Sequence, residues 1–167
     1  MKKLFTALLL SLCCMVAFSQ TIAPTKGRIK FMNVSFDQPV GFMANALIHH
    51  GFTKADGSYT FTGKYDGTDA SIFLAEHKNG GITMLSVERY YKTHNEALAK
   101  YKSLVTSLKG KYKMNMASDR IDNYYAAGFD YDKAGSSITL FVYDNADQAG
   151  RYKVETLYLD GYNYSNK

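Results

Sequence analysis

Seven segments of the chain have the apolar pattern of β-strands. Apolar and polar residues alternate along the first two, a period of two that is typical of strands with one buried face, whereas several of the others are apolar on both sides. Two of the intervening turns carry strong signals, because Asp66-Gly67 and Asn79-Gly80-Gly81 are sequences that favour tight hairpins. The predicted strands are residues 28–36, 59–65, 71–77, 82–91, 123–131, 137–143 and 152–160.

Two further segments show the period of an α-helix. The first follows Asp37 and Pro39, which suit a helix N-terminus, and stops at Gly51, which suits a C-terminal cap. The second opens at Thr93, and the spacing of Thr93 and Glu96 is that of a capping box. One face of each helix is apolar, formed by Val40, Met43, Ala46 and Leu47 in the first and by Leu98, Tyr101, Val105, Leu108 and Tyr112 in the second.

The two halves of the chain resemble each other in sequence. Residues 71–74 (SIFL) and 137–140 (SITL) are 66 positions apart, and residues 63–66 (GKYD) resemble residues 128–131 (GFDY). In each half a predicted helix comes before three predicted strands. This common order indicates an internal repeat.

The repeat predicts an α+β fold of two tandem helix-plus-three-strand units, residues 37–91 and 93–160. Short connections between the strands favour one antiparallel sheet, with both helices packed on one face. We expect a single α+β domain over residues 28–161, followed by a polar tail over residues 162–167.

This order of elements resembles the β-lactamase-inhibitor-protein-like fold. The resemblance implies a concave, aromatic-rich sheet surface that grips a partner protein. It covers element order alone, and the stabilising disulfides of the secreted inhibitors have no counterpart here. Residues 31–52 are also similar to a strand–helix opening found in small uncharacterised exported proteins of gut Bacteroidetes.

The N-terminal segment predicts export. Two lysines precede an apolar run, and Ala17 and Ser19 supply the small residues of a cleavage site. We therefore predict a signal peptide over residues 1–19 and a flexible leader over residues 20–27. Because the apolar run is short for a membrane span, the mature chain is expected to be periplasmic or secreted, without a transmembrane segment.

Removal of the signal peptide changes the composition. Both cysteines are lost, which excludes disulfides, thiolate nucleophiles and cysteine-bound zinc from the mature chain. The net charge falls from +5 to +3, which is too small to indicate nucleic-acid binding. All 14 tyrosines remain. Tyrosine combines a large apolar ring with a polar hydroxyl, so these residues are expected in the core and on the surface of the sheet.

No sequence motif indicates catalysis, a metal site or a cofactor. His49 and His50 are adjacent, whereas a pair of metal ligands on a helix needs a spacing of three or four. The acidic loop at residues 144–150 does not match a calcium-binding loop, and Ser136 lacks the context of a nucleophile elbow. We predict no catalytic residue, no metal ligand, no cofactor and no enzymatic activity.

Aromatic residues on the predicted strands are the candidate binding residues, because tyrosine gives contact area at low entropic cost. The favoured hypothesis is an exported, non-catalytic protein that binds a protein or a polysaccharide on its sheet. The alternatives are a small hydrolase with converging carboxylates in a pocket, and a cell-envelope structural or assembly factor. The candidate binding residues are Phe73, Tyr90, Phe141, Tyr143 and Tyr158, while Leu74, Leu85, Val87, Leu140 and Val142 are expected to face the helices.

Overall fold

The computed structural model describes residues 28–112, 116–131 and 135–162. The predictions for the signal peptide, the leader and residues 163–167 lie outside this part of the chain. The described chain opens with a two-stranded hairpin of β1 (Lys30–Phe31) and β2 (Val34–Ser35). Met32 and Asn33 form the turn with φ values of 47° and 64°, so the single strand predicted over residues 28–36 is in fact two.

Helix α1 (Val40–His49) begins differently from the prediction. Pro39 occupies the N-cap position, and no side chain caps the helix, so Asp37 is not the capping residue. The N–H of Val40 instead donates to the carbonyl oxygen of Gly80 at 2.8 Å. The turn between two strands of the main sheet therefore satisfies a backbone group that a capping side chain would otherwise bind.

The C-terminus of α1 confirms the predicted glycine cap. Gly51 has a φ of 85°, and the N–H of Phe52 donates to the carbonyl oxygen of Leu47 at 3.0 Å. Phe52 and Leu47 are both buried, so the apolar contact that often accompanies this motif is present.

The main sheet has eight strands, and every neighbouring pair is antiparallel. Its spatial order is β3-β4-β5-β6-β10-β9-β8-β7, so β6 and β10 meet at the centre and β3 and β7 form the edges. Helix α2 (His94–Tyr112) connects β6 to β7. The strands are β3 (Thr53–Lys54), β4 (Thr60–Tyr65), β5 (Thr68–Glu76), β6 (Ile82–Tyr91), β7 (Ala117–Ile121), β8 (Tyr124–Asp130), β9 (Ser137–Tyr143) and β10 (Tyr152–Leu159).

The predicted α+β fold of two tandem helix-plus-three-strand units is wrong. The described chain is mostly β, with ten strands and two helices, and four strands rather than three follow each helix. The strands missing from the prediction are the edge strands β3 and β7. Both residues of β3 and the three central residues of β7 are exposed, so neither strand has the buried apolar alternation that marks a strand in sequence.

The main core lies between the helices and one face of the eight-stranded sheet, which we call the helix face. Met43 and Leu47 of α1 belong to the same buried cluster as Ala97 and Tyr101 of α2. The five aliphatic residues expected to face the helices all belong to this cluster, which confirms their predicted orientation; they are Leu74, Leu85, Val87, Leu140 and Val142.

Candidate functional site

The outer face is the side of the eight-stranded sheet opposite the helix face. Because successive side chains of a strand point to opposite sides, the register assigns each central residue to one face. Both described helices pack their buried residues against the helix face, and the described outer face is formed by side chains of the strands. Its central residues are Ser71, Phe73, Met84, Ser86, Glu88, Tyr90, Tyr124, Ala126, Thr139, Phe141, Tyr143, Lys153, Glu155, Leu157 and Leu159.

Three charged residues meet where β6 and β10 pair. Glu88 and Glu155 are directly opposite each other in the register, and Lys153 lies two residue pairs along, on the same face. The Lys153 Nζ is 2.6 Å from Glu88 Oε1 and 3.5 Å from Glu155 Oε2. One ammonium group thus bridges two carboxylates that would otherwise repel each other across the strands.

Three hydroxyl groups complete the hydrogen bonding of the two carboxylates. The hydroxyl of Tyr90 donates to Glu88 Oε2 at 2.6 Å, and that of Tyr143 donates to Glu155 Oε2 at 3.0 Å. Ser86 Oγ donates to Glu155 Oε1 at 2.7 Å. Every oxygen of the two carboxylates therefore accepts a hydrogen bond; we call these six residues the outer-face network (Ser86, Glu88, Tyr90, Tyr143, Lys153 and Glu155).

The surroundings of the outer-face network favour its protonated hydroxyls and its charged lysine. Burial, together with the Glu88 carboxylate, raises the pKa of Tyr90 to about 12. Burial and the Glu155 carboxylate also raise the pKa of Tyr143. Burial alone would lower the pKa of Lys153, but the carboxylates of Glu155 and Glu88 outweigh it and raise that pKa.

Cations cover two aromatic rings of the outer face. The Arg151 guanidinium lies 4.0 Å from the centroid of the Tyr90 ring, and Lys153 Nζ lies 4.7 Å from that of Tyr143. Asp147 holds the arginine in place, because its Oδ2 accepts hydrogen bonds from Arg151 Nε at 3.0 Å and Nη2 at 2.8 Å. One side of each ring is therefore already occupied by a positive charge.

An apolar patch adjoins the outer-face network. Ala126, Phe141 and Leu157 are buried among their neighbours on β6–β10, with Met84, Ile121, Tyr124, Tyr143 and Leu159 packed around them. Phe73 lies in the same row of the sheet as Leu157, with Ser86 between them. Its side chain is 43% exposed, which makes it the apolar residue of this face that is most open to a partner.

Four of the five candidate binding residues lie together on the outer face. Tyr158 does not: it points to the helix face, where its ring centroid is 5.6 Å from that of Phe31 and 6.4 Å from that of Phe36. Leu157 and Tyr158 are both large and apolar, so composition alone did not distinguish the two faces of β10. The four on the outer face are Phe73, Tyr90, Phe141 and Tyr143.

Glu88, Lys153 and Glu155 were not predicted from the sequence to be part of the candidate site. A signal was present, because Glu88 lies two positions before Tyr90 and must share its face in a strand. The pairing of β6 with β10, which brings Glu88 opposite Glu155, joins residues 67 positions apart and has no counterpart in local patterning.

A cavity of about 370 Å³ lies away from the outer-face network, near the ends of α1 and β4. Its lining includes one histidine and one aspartate, and the aspartate, Asp66, is 3.6 Å from Lys100 Nζ. We call this space the β4 cavity; its lining residues are Met32, Asn33, His50, Phe52, Lys64, Tyr65 and Asp66.

Within residues 28–112, 116–131 and 135–162, no group of three or more histidine, cysteine, aspartate or glutamate side chains is placed to hold a metal ion. The helices of the same ranges are too short or too polar to cross a membrane.

No protein-family model matches the chain, and the searches of curated proteins and of solved structures found no match. The resemblance to the β-lactamase-inhibitor-protein-like fold therefore stays a prediction.

Proposed function

We propose that the protein is an exported, non-catalytic binding protein that holds a polypeptide partner on its outer face. The observation that carries this proposal is the exposed ring of Phe73 beside a hydrogen-bonded network on the sheet face opposite both helices. The sequence of residues 1–19 supports the exported location.

The outer-face network suits a binding surface because its polar groups are already paired. A partner that excludes water from Glu88 and Glu155 leaves no carboxylate oxygen without a donor. Burial of unpaired polar groups would cost about 1–3 kcal/mol each, and this cost is avoided here. The fixed hydroxyls also hold the aromatic rings in place, which reduces the entropy lost on binding.

A polypeptide fits this surface better than a polysaccharide. Sugar rings bind aromatic residues by stacking on a free ring face, whereas Arg151 and Lys153 cover faces of Tyr90 and Tyr143. The apolar side chains of a polypeptide need no such platform, since they can pack against Phe73 and the neighbouring apolar patch.

The two glutamates support binding more than hydrolysis. A general acid or base must exchange protons with a substrate, yet each carboxylate oxygen of the network accepts a hydrogen bond from a neighbouring side chain. An envelope assembly factor would use the same face for a partner fixed in the envelope, and it differs from a free binder in where that partner is found.

Site-specific photocrosslinking tests the proposal. A benzophenone amino acid is placed at Phe73 in one version of the full chain and at Phe42 in another, and both are expressed in cells that produce the protein naturally. Phe42 is the matched control, because it is 60% exposed but lies on α1. We expect a discrete protein adduct from position 73 and none from position 42.

A pair of substitutions extends the same experiment. Phe73→Ser should reduce recovery of that adduct partner by about tenfold, while Phe42→Ser should leave it unchanged. Equal adducts from both positions, or binding of the purified chain to envelope polysaccharide that Phe73→Ser abolishes, would contradict a polypeptide ligand on the outer face.

A further inference from the structure

Arg89 is a buried cation without an anionic partner among the described residues. It lies on the helix face of β6 and is only 3% exposed. Its Nη1 donates to Thr156 Oγ1 at 3.1 Å, but its Nε has no acceptor. No ion pair within 4 Å joins it to a carboxylate in the described ranges.

Such an arrangement is costly for a protein. Arginine stays charged at any physiological pH, and a buried charge is normally paired because removing it from water is strongly unfavourable. The ring of Tyr65, with its centroid 4.8 Å from the guanidinium carbon, offsets part of this cost by a cation–π contact. One of the five N–H donors of the guanidinium is bonded to a hydroxyl, and the buried Nε has no acceptor.

Tyr65 connects this guanidinium to the β4 cavity. The residue that stacks on Arg89 is also one of the residues that line the cavity. Phe52 and Met32 give the cavity an apolar wall, and Lys64, whose Nζ is 4.0 Å from Asp69 Oδ1, is the one lysine of its lining. The one carboxylate of the lining, Asp66, is balanced by Lys100 at 3.6 Å.

We propose that the β4 cavity binds an organic carboxylate with an apolar body, and that rotation of Tyr65 brings its carboxylate group to Arg89. The apolar body packs against Phe52 and Met32, and the carboxylate accepts charge-assisted hydrogen bonds from the guanidinium. The volume of about 370 Å³ is within the usual range for small-molecule sites. This site lies apart from the outer face and is independent of the partner proposed there.

Binding of hexanoate and hexanamide to the full mature chain tests this site, because the two probes differ in charge but hardly in shape. Titrations followed by two-dimensional NMR should place both probes at the backbone amides of Asn33, Phe52 and Asp66. We expect hexanoate to bind about tenfold more tightly than hexanamide. Equal affinities would overturn the proposal.

Substitutions then identify the cation responsible. Arg89→Met should remove most of the preference for hexanoate and leave hexanamide binding intact. The control, Lys102→Met, removes an exposed charge of α2 and should leave the preference unchanged. An unchanged preference in Arg89→Met would show that Arg89 has no part in binding.

A second variant decides the question if Arg89→Met does not fold. Tyr65→Leu removes the ring between Arg89 and the cavity, so the preference for hexanoate should rise severalfold without any rotation. A preference that stays at the wild-type value would contradict the role of Tyr65 and the access to Arg89.

Discussion

At the scale of single residues, the outer-face network turns a half-buried sheet surface into a set of fixed donors and acceptors. Tyr90 illustrates this, since its hydroxyl donates to Glu88 on its own strand and lies 3.3 Å from Ser71 Oγ on the next strand. Its ring is covered by Arg151 at 4.0 Å. The side chain is held at both its hydroxyl and its ring face. It is thus preorganised, which lowers the conformational entropy lost when a partner binds.

The contacts of Tyr90 should make the stability of the protein fall at alkaline pH. The pKa of Tyr90 is about 12 in the folded protein, because of burial and the Glu88 carboxylate, against about 10 in an unfolded chain. The stabilisation of the folded protein by protonated Tyr90 is therefore complete below about pH 10 and is lost as the pH rises towards 12. We expect the free energy of unfolding, measured in urea, to fall over this window, and to fall less in Tyr90→Phe.

Tyr90→Phe should also lower the free energy of unfolding by about 1 kcal/mol near pH 8, because the hydrogen bond to Glu88 disappears. The stability curves of variant and wild type should then approach each other above pH 10. Glu88→Gln keeps a hydrogen-bond acceptor for Tyr90 but removes the charge, so its stability curve should lie between those of Tyr90→Phe and the wild type. A constant gap between Tyr90→Phe and the wild type from about pH 8 to 12 would refute the coupling.

At the scale of elements, local sequence determines the ends of α2 more clearly than those of α1. The predicted capping box is present: the N–H of Thr93 donates to Glu96 Oε2 at 3.1 Å, and the N–H of Glu96 donates to Thr93 Oγ1 at 3.3 Å. Helix α1 has no side-chain cap and depends on Gly80, a distant residue, for its first hydrogen bond.

Thr93→Ala should therefore destabilise the protein by about 1 kcal/mol, since it leaves the N–H of Glu96 without its acceptor. Urea unfolding followed by circular dichroism measures the change. Thr106→Ala is the matched control: this exposed threonine lies inside α2, where its Oγ1 donates to the carbonyl oxygen of Lys102, and alanine has the higher helix propensity. Equal losses in both variants would show that the capping box contributes nothing.

Features of the fold that depend on local sequence could be predicted, whereas those that depend on contacts between distant residues could not. Six central strands, both helices and the hairpins at Asp66-Gly67 and Asn79-Gly80-Gly81 were predicted, because each leaves a local pattern. The exposed edge strands leave none. For the candidate site, the alternation of side chains along each strand was sufficient to place the four outer-face aromatic residues on one face. The face of Tyr158 and the contact of Glu88 with Glu155 depend on packing and register, which the local sequence does not show.

At the scale of the whole molecule, the two halves of the sheet are joined rather than merely adjacent. In the first half Phe61 lies opposite Ile72, and in the second Phe129 lies opposite Ile138. Ile72 and Ile138 are matched residues of the SIFL and SITL segments, so their partners Phe61 and Phe129 occupy equivalent positions in the two hairpins. The glycines of the GKYD and GFDY segments, Gly63 and Gly128, do not. The two phenylalanines and the two isoleucines belong to one buried cluster, and β6 pairs with β10 over eight residue pairs.

This shared core predicts that both halves unfold together. Leu85→Ala deletes a fully buried side chain of the first half and should cost about 2–5 kcal/mol. NMR intensities of the backbone amides of Phe61 and Phe129, followed through a urea titration, report on each half separately. In a cooperative fold both midpoints move to lower urea by the same amount, because the β6–β10 pairing couples them. The control Phe42→Ala, at a residue 60% exposed on α1, should move neither midpoint. A shift at Phe61 with none at Phe129 would mean that the halves are independent units and that the network between them contributes no coupling.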